Sequence, residues 1–139
     1  MEGIHWLEKN HFKIYGVVID GMKGLAKALS PYPVQLCQFH QMLMVRRYIT
    51  QDPDIKASKV LLDLANDITK MDEESFVEAL DDWYEKYKDV VNERVQDKRI
   101  KKKNSAIYEA RLRSAYLSLK RNMPLLWTFY DHPRIQTTA

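Results

Sequence analysis

Phe12-Lys13-Ile14-Tyr15-Gly16-Val17-Val18-Ile19-Asp20-Gly21 decides how the rest of this chain is read. The β-branched run Val17-Val18-Ile19 ends abruptly in an acid and a glycine. A continuous apolar run, unlike an alternating one, fits a strand buried on both faces, as in parallel sheets covered by helices. Beyond Gly21, the residues Met22, Leu25, Ala26 and Leu29 keep the i, i+3, i+4, i+7 spacing of a helix with one apolar face. Asp20 is then expected at the carboxyl end of a strand, at the mouth of a strand–helix turn, where open α/β sheets place their ligands. Two readings of Asp20 stand at this point. Its oxygens suit a hard divalent cation, and an Asp before Gly at a strand end is equally an ordinary turn and helix cap.

Working outward, Ile4, Trp6 and Leu7 predict a helix ending at Lys9-Asn10, with the strand beginning near Phe12. Ser30-Pro31-Tyr32-Pro33 is a break, because proline removes donors and biases its predecessor toward extended geometry. Val34-Gln35-Leu36-Cys37-Gln38-Phe39 reads as a second short strand, parallel to the first and joined to it by a right-handed helical crossover. From His40 onward the pattern is helical. Met42, Leu43, Arg46, Arg47 and Ile49 continue one helix to about Thr50, and Val60, Leu61, Leu64, Ala65 and Ile68 form another apolar stripe. Asp72 is an N-cap candidate with Glu73 and Glu74 well placed in the first turn, followed by Phe76, Leu80, Trp83, Tyr87 and Val91 at helical spacing. Lys101-Lys102-Lys103 reads as an exposed connection closed by Asn104 or Ser105 as the next cap. Tyr108, Leu112, Ala115 and Leu119 then make a last apolar face, with Arg111, Ser114, Ser118 and Arg121 on another; Pro124 limits the helix, and Leu125-Leu126-Trp127-Thr128-Phe129-Tyr130 is expected to resume a short turn of helix packed inward.

The fold class expected is therefore an α/β fragment, two parallel strands with helices, followed by a mainly α-helical part. Residues 1–50 form the first division and residues 51–139 the second. Two strands alone make a sheet of little stability, so the first part is expected to want further strands.

At 139 residues the chain can bury one core or two small ones, and its 45% hydrophobic and 11% aromatic content is that of a globular protein. No stretch approaches the ~20 apolar residues of a membrane span. Met1-Glu2-Gly3-Ile4-His5 lacks the order of a signal peptide. The single cysteine, Cys37, rules out an internal disulfide framework and suits a reducing cytoplasm, the expected location.

The net charge of +3 hides a strong asymmetry. Acids dominate from Asp72 to Glu93, and bases from Arg94 to Arg121. Lys98, Arg99, Lys101, Lys102, Lys103, Arg111, Arg113, Lys120 and Arg121 are candidates to neutralise nucleic-acid phosphates. The same charges serve equally as a solvated face paired with the acidic helix before them.

Cys37-Gln38-Phe39-His40 sets a thiol and an imidazole three residues apart. A structural zinc site wants four ligands, and no second pair stands at finger spacing, so zinc is not expected in this chain. A plainer reading makes Cys37 a small buried hydrophobe and His40 the start of a helix.

Taken in order, a strand ending in Asp20-Gly21, a helix, a Pro-x-Pro break, a strand ending in Cys37-x-x-His40 and then Arg46-Arg47-Tyr48-Ile49-Thr50 resembles the mutator-type DDE transposases of bacterial insertion sequences, in their zinc-binding variant. The similarity continues through Ser75-Phe76, Asp82-Trp83-Tyr84-Glu85-Lys86, Asn92-Glu93-Arg94, Arg111-Leu112-Arg113-Ser114-Ala115-Tyr116, Ser118-Leu119-Lys120-Arg121-Asn122 and Pro124. It covers nearly the whole chain.

The resemblance implies part of an RNase H-like catalytic core interrupted by a helical insertion. It implies DNA at transposon ends as partner, and three carboxylates holding two Mg²⁺ or Mn²⁺ ions for phosphodiester cleavage and strand transfer. Asp20 matches the second carboxylate, and Cys37 and His40 match the Cys-x-x-His signature. The first Asp is expected upstream of Met1 and the Glu beyond Ala139, so this chain alone is expected to be inactive. Aromatics of such insertions stack on unpaired bases. Trp83 is the candidate here, although its stripe places it in the core. The alternatives are a non-catalytic helical nucleic-acid-binding module, or an interaction fragment whose sheet edge drives self-association.

Overall fold

The computed structural model describes residues 2–21, 24–49, 56–92 and 103–135, the stretch 103–108 by its backbone alone. Its elements are α1 (Glu2–Lys9), β1 (Val17–Ile19), α2 (Leu25–Ala28), β2 (Val34–Leu36), α3 (Gln38–Tyr48), α4 (Lys56–Asn66), α5 (Glu73–Asn92) and α6 (Lys103–Leu126). Short 3₁₀ turns lie at Ile68–Lys70 and Thr128–Tyr130. The fold is mostly helical with two parallel strands in one sheet. Among the described residues no helix is long and apolar enough to cross a membrane. The chain divides into two compact units, Met1–Gln41 with Asn122–Ala139, and Met42–Arg121.

The first unit is built on the sheet. β1 and β2 pair in register Val17↔Val34, Val18↔Gln35 and Ile19↔Leu36. The ladder is extended by Val17 N–H donating to Pro33 O at 2.9 Å and Cys37 N–H donating to Ile19 O at 2.7 Å. Both strands are shorter than their sequence pattern predicts. β1 begins at Val17 rather than near Phe12, because Pro33 is where its partner starts. β2 ends at Leu36 because the Cys37 carbonyl already accepts the Gln41 N–H at 3.0 Å, so helix α3 takes over at Gln38, ahead of His40. The helix between the strands is also cut down to Leu25–Ala28, starting after Gly24, whose φ of 80° is left-handed. Gly21, at φ 104°, makes the turn that closes β1, a conformation glycine alone adopts without strain.

The C-terminal segment docks on β2. Gln35, buried inside the strand, donates through Nε2 to Leu126 O at 2.7 Å and to Leu36 O at 2.8 Å, and its Oε1 accepts the Phe129 N–H at 3.1 Å. Gln38 Nε2 also donates to Leu126 O, at 2.8 Å, and Thr128 Oγ1 donates to Val34 O at 2.7 Å. These bonds explain why Pro124 does not limit α6. Proline removes one helical donor, but the last turn continues to Leu126, where two buried amides satisfy the terminal carbonyl that a helix otherwise leaves orphaned. Gly16 permits a further close approach, since a Cβ there would overlap the Ile135 side chain and lie 3.1 Å from Pro33 O. The α1 helix is tied to this unit by the Tyr32 hydroxyl, which donates to the Glu8 carboxylate.

The second unit is a helical cluster. Asp72 caps α5 as its position predicts, with Oδ1 accepting the Ser75 N–H at 2.7 Å. The α5 stripe then buries Phe76, Leu80, Trp83 and Val91, with Tyr87 half-buried. Also buried in this unit are Ala57, Leu61 and Ala65 of α4, Ile68, and Leu112, Ala115 and Leu119 of α6. Each fully buried leucine or phenylalanine of this set contributes about 1.5–3 kcal/mol. Val60, predicted in the α4 stripe, is instead exposed, and Ser118, predicted on a face of α6 other than the apolar one, is buried with its hydroxyl donating to Ala115 O at 2.8 Å. α6 begins at Lys103, before the expected caps Asn104 and Ser105.

Candidate functional site

The rim at the carboxyl ends of the two strands carries the candidate chemistry. Beyond the last paired residues, Ile19 and Leu36, the next residues are Asp20 and Cys37. Asp20 is exposed, at the start of the turn made by Gly21. Cys37 is fully buried and opens α3 with its carbonyl. His40, in the first turn of α3, is half-buried, and its Nδ1 is sealed from solvent with no hydrogen-bond partner among the described residues. The two strands therefore bring the acid and the Cys-x-x-His segment to one end of one sheet.

What this rim can hold is limited. Its donors are one exposed carboxylate, one buried thiol and one half-buried imidazole. Among the described residues no three His, Cys, Asp or Glu side chains come together as a metal site. Two hard divalent ions a few ångströms apart need several carboxylates between them. Asp20 fits as one ligand of such a site, and the described residues around it do not make up the rest.

The basic candidates separate in space. Lys98, Arg99, Lys101 and Lys102 lie outside the described residues, as does the side chain of Lys103. Arg111, Arg113 and Arg121 are exposed on α6, whereas Lys120 stands 3.7 Å from the Asp81 carboxylate. Arg111 and Arg121, with Ser114, line a cleft of about 700 Å³ in the second unit, together with Met44, Arg47 and Tyr48 of α3. Arg47 was not among the basic candidates. Its sequence signal, the doublet Arg46-Arg47, does not separate the two. Arg46 bonds Asn66 Oδ1 through Nε at 3.1 Å, while Arg47 turns to the cleft. Trp83 is 3% exposed and donates from Nε1 to Ala57 O at 2.9 Å, so it is a core residue. Tyr116, stacked 5.5 Å from Trp83 and 4.9 Å from Tyr84, has its phenol pKa raised by burial.

Comparison of the chain with protein-family models, curated proteins and solved structures gives no match.

Proposed function

We propose that this chain is the central part of the catalytic domain of a mutator-type DDE transposase, with an RNase H-like core interrupted by a helical insertion. In this reading Asp20 is one of the carboxylates that hold two Mg²⁺ or Mn²⁺ ions, and DNA at transposon ends is the substrate. The observation that carries it is the placement of Asp20, exposed where β1 ends, beside a parallel β2 that runs straight into Cys37-x-x-His40. The ordered sequence blocks add support, and so does β1 having β2 as its one strand partner among the described residues, which leaves an edge for a further strand.

Bound divalent ions supply a metal-activated oxygen nucleophile and stabilise the leaving oxygen. This chain's own part is narrower. Gly21 ends the strand so that the Asp20 carboxylate faces solvent, and the ladder bond from Cys37 N–H to Ile19 O fixes the backbone that carries it. One carboxylate leaves an ion mostly hydrated and weakly held, so the chain neither cuts nor joins DNA by itself. Incubating the purified chain with supercoiled plasmid and Mg²⁺ or Mn²⁺ tests this. No nicking above the metal-only background is expected, and nicking that Asp20→Asn abolishes would overturn it.

A further inference from the structure

Asp20-Gly21 is the single place in this sequence where an Asp or Asn precedes a glycine. A backbone amide nitrogen can attack the side-chain carboxyl of the residue before it and close a five-membered imide. A side chain on the attacking residue crowds that ring, and glycine has none. The ladder ends one residue earlier, where Cys37 N–H donates to Ile19 O at 2.7 Å, so Asp20 and Gly21 lie beyond the last strand bond. Asp20 is exposed, and Gly21 is half-buried with φ 104°. Among the described residues neither the Asp20 carboxylate nor the Gly21 N–H has a hydrogen-bond or ion-pair partner.

The other described aspartates are held back from the same reaction. Asp63, Asp81, Asp82 and Asp89 lie inside α4 and α5, where the next amide donates to a carbonyl one turn back. Asp72 commits Oδ1 to the Ser75 N–H at 2.7 Å. Asp131 is followed by His132, whose N–H donates to Phe129 O at 3.2 Å. Asp67 precedes the branched and fully buried Ile68. An amide that is already donating from rigid backbone must break that bond before it can attack.

We propose that Asp20-Gly21 is a site of spontaneous isoaspartate formation, a self-modification of the chain that needs only water. The Gly21 amide nitrogen bonds to Cγ of the protonated Asp20 carboxyl, whose hydroxyl leaves with the amide proton as water. Water then opens the imide. Breaking the bond from nitrogen to Cγ restores aspartate. Breaking the bond from nitrogen to the Asp20 main-chain carbonyl routes the main chain through Cγ and frees the former main-chain carboxyl as the side-chain acid. One water is lost and one regained, so nothing is oxidised and the mass is unchanged. The new linkage lengthens the main chain by one methylene and shortens the tether of the acid by the same carbon, which moves the carboxylate from the place Asp20 holds at the end of β1. That the isomer thereby lacks a metal ligand rests on the transposase reading; the isomerisation does not.

Ageing the full folded chain in warm neutral buffer with EDTA tests the proposal, with the tryptic peptide 14–23 aged beside it as the reference. Peptide mapping with electron-transfer fragmentation reads the linkage, and methyl transfer from S-adenosylmethionine by an isoaspartyl methyltransferase counts it. Isoaspartate is expected at position 20 and at no other described aspartate, and hydroxylamine, which traps the imide, is expected to cut the chain between Asp20 and Gly21. Asp20→Glu should lose both signals, because its ring would have six members. Asp20→Asn should form the same imide with loss of ammonia, so that the aged variant regains an acid at position 20 in both linkages. Circular dichroism melts confirm that these exposed substitutions leave the fold intact. The proposal is overturned if the folded chain keeps only the aspartyl linkage at position 20 once the reference peptide has isomerised. Isoaspartate appearing first at another described aspartate overturns it as well, and so does a signal that Asp20→Glu retains. Neither metal nor DNA enters this experiment, so its failure and failure of the transposase reading are seen separately.

Discussion

The Nε2 amide of Gln35 lies 2.7 Å from the carbonyl oxygen of Leu126, 91 residues further along the chain. A polar side chain in the middle of a buried strand thus ends a helix that its own proline does not end. Gln35 also serves Leu36 O and the Phe129 N–H, whereas Gln38 serves Leu126 O alone among the described bonds. Gln35→Leu is therefore expected to cost about 2–3 kcal/mol, since it removes three hydrogen bonds, and Gln38→Leu, which removes one, about 1 kcal/mol. Urea unfolding of the two variants checks the order, and equal costs would contradict it.

Gly16 and Ile135 form a second long-range contact with a sharp steric limit. A Cβ at position 16 meets the buried Ile135 side chain, with Pro33 O behind it. Gly16→Ala should destabilise by about 1–3 kcal/mol through overpacking. Ile135→Ala in the same chain should recover about 1 kcal/mol relative to the sum of the single effects. Strict additivity in thermal melts would show that the two sites do not touch.

Asp72 gives α5 a pH-dependent start. Ser75, through its side chain first and its backbone N–H second, holds the Asp72 carboxyl below the ordinary carboxylate value. A folded-state pKa lower than the unfolded one stabilises fully above the unfolded value, and that contribution is lost as pH falls through the folded one. Stability of the parent should fall more steeply in this acid range than that of Asp72→Asn, which keeps a capping oxygen without a charge. Parallel acid titrations of the two proteins would rule the idea out.

Trp83 and Tyr87, one helical turn apart, should respond in opposite directions. The Trp83 indole N–H is bonded to Ala57 O, so Trp83→Phe removes that bond and leaves space in the core, at a cost of about 1–3 kcal/mol. The Tyr87 hydroxyl is sealed from solvent with no partner among the described residues, so Tyr87→Phe is expected to be neutral or to gain up to about 1 kcal/mol. Chemical denaturation separates them, and a large loss on Tyr87→Phe would reveal a partner. Trp83→Phe should also leave the salt dependence of DNA binding unchanged, because a core indole offers no face to a base.

Local patterns carried much of this fold. The valine run ending in Asp20-Gly21, the Pro33 break and the parallel partner were legible because strand burial and proline geometry act over a few residues. Asp72 and the Phe76, Leu80, Trp83, Val91 stripe were legible because capping and the 3.6-residue period do too. What stayed hidden depends on residues far apart in sequence. Periodicity cannot show that Gln35 and Gln38 reach the end of α6, so Pro124 read as a stop and residues 122–135 read as part of the helical division rather than as neighbours of β2. The same blindness hid Ser118 in the core. At the candidate site, Asp20 and the Cys37–His40 segment were visible as strand-end residues. Arg47 was not, because nothing in the local sequence sets it across a cleft from Arg111 and Arg121.

The most direct measurement is the nucleotide sequence on either side of the coding region. If Asp20 is one member of a nuclease carboxylate cluster, the upstream DNA encodes a short apolar strand closing in Asp, and the downstream DNA encodes an Asn-x-x-Glu segment on a helix. Flanking DNA that encodes neither, in any frame, would contradict the transposase reading and leave Asp20 as the cap of an ordinary strand–helix turn.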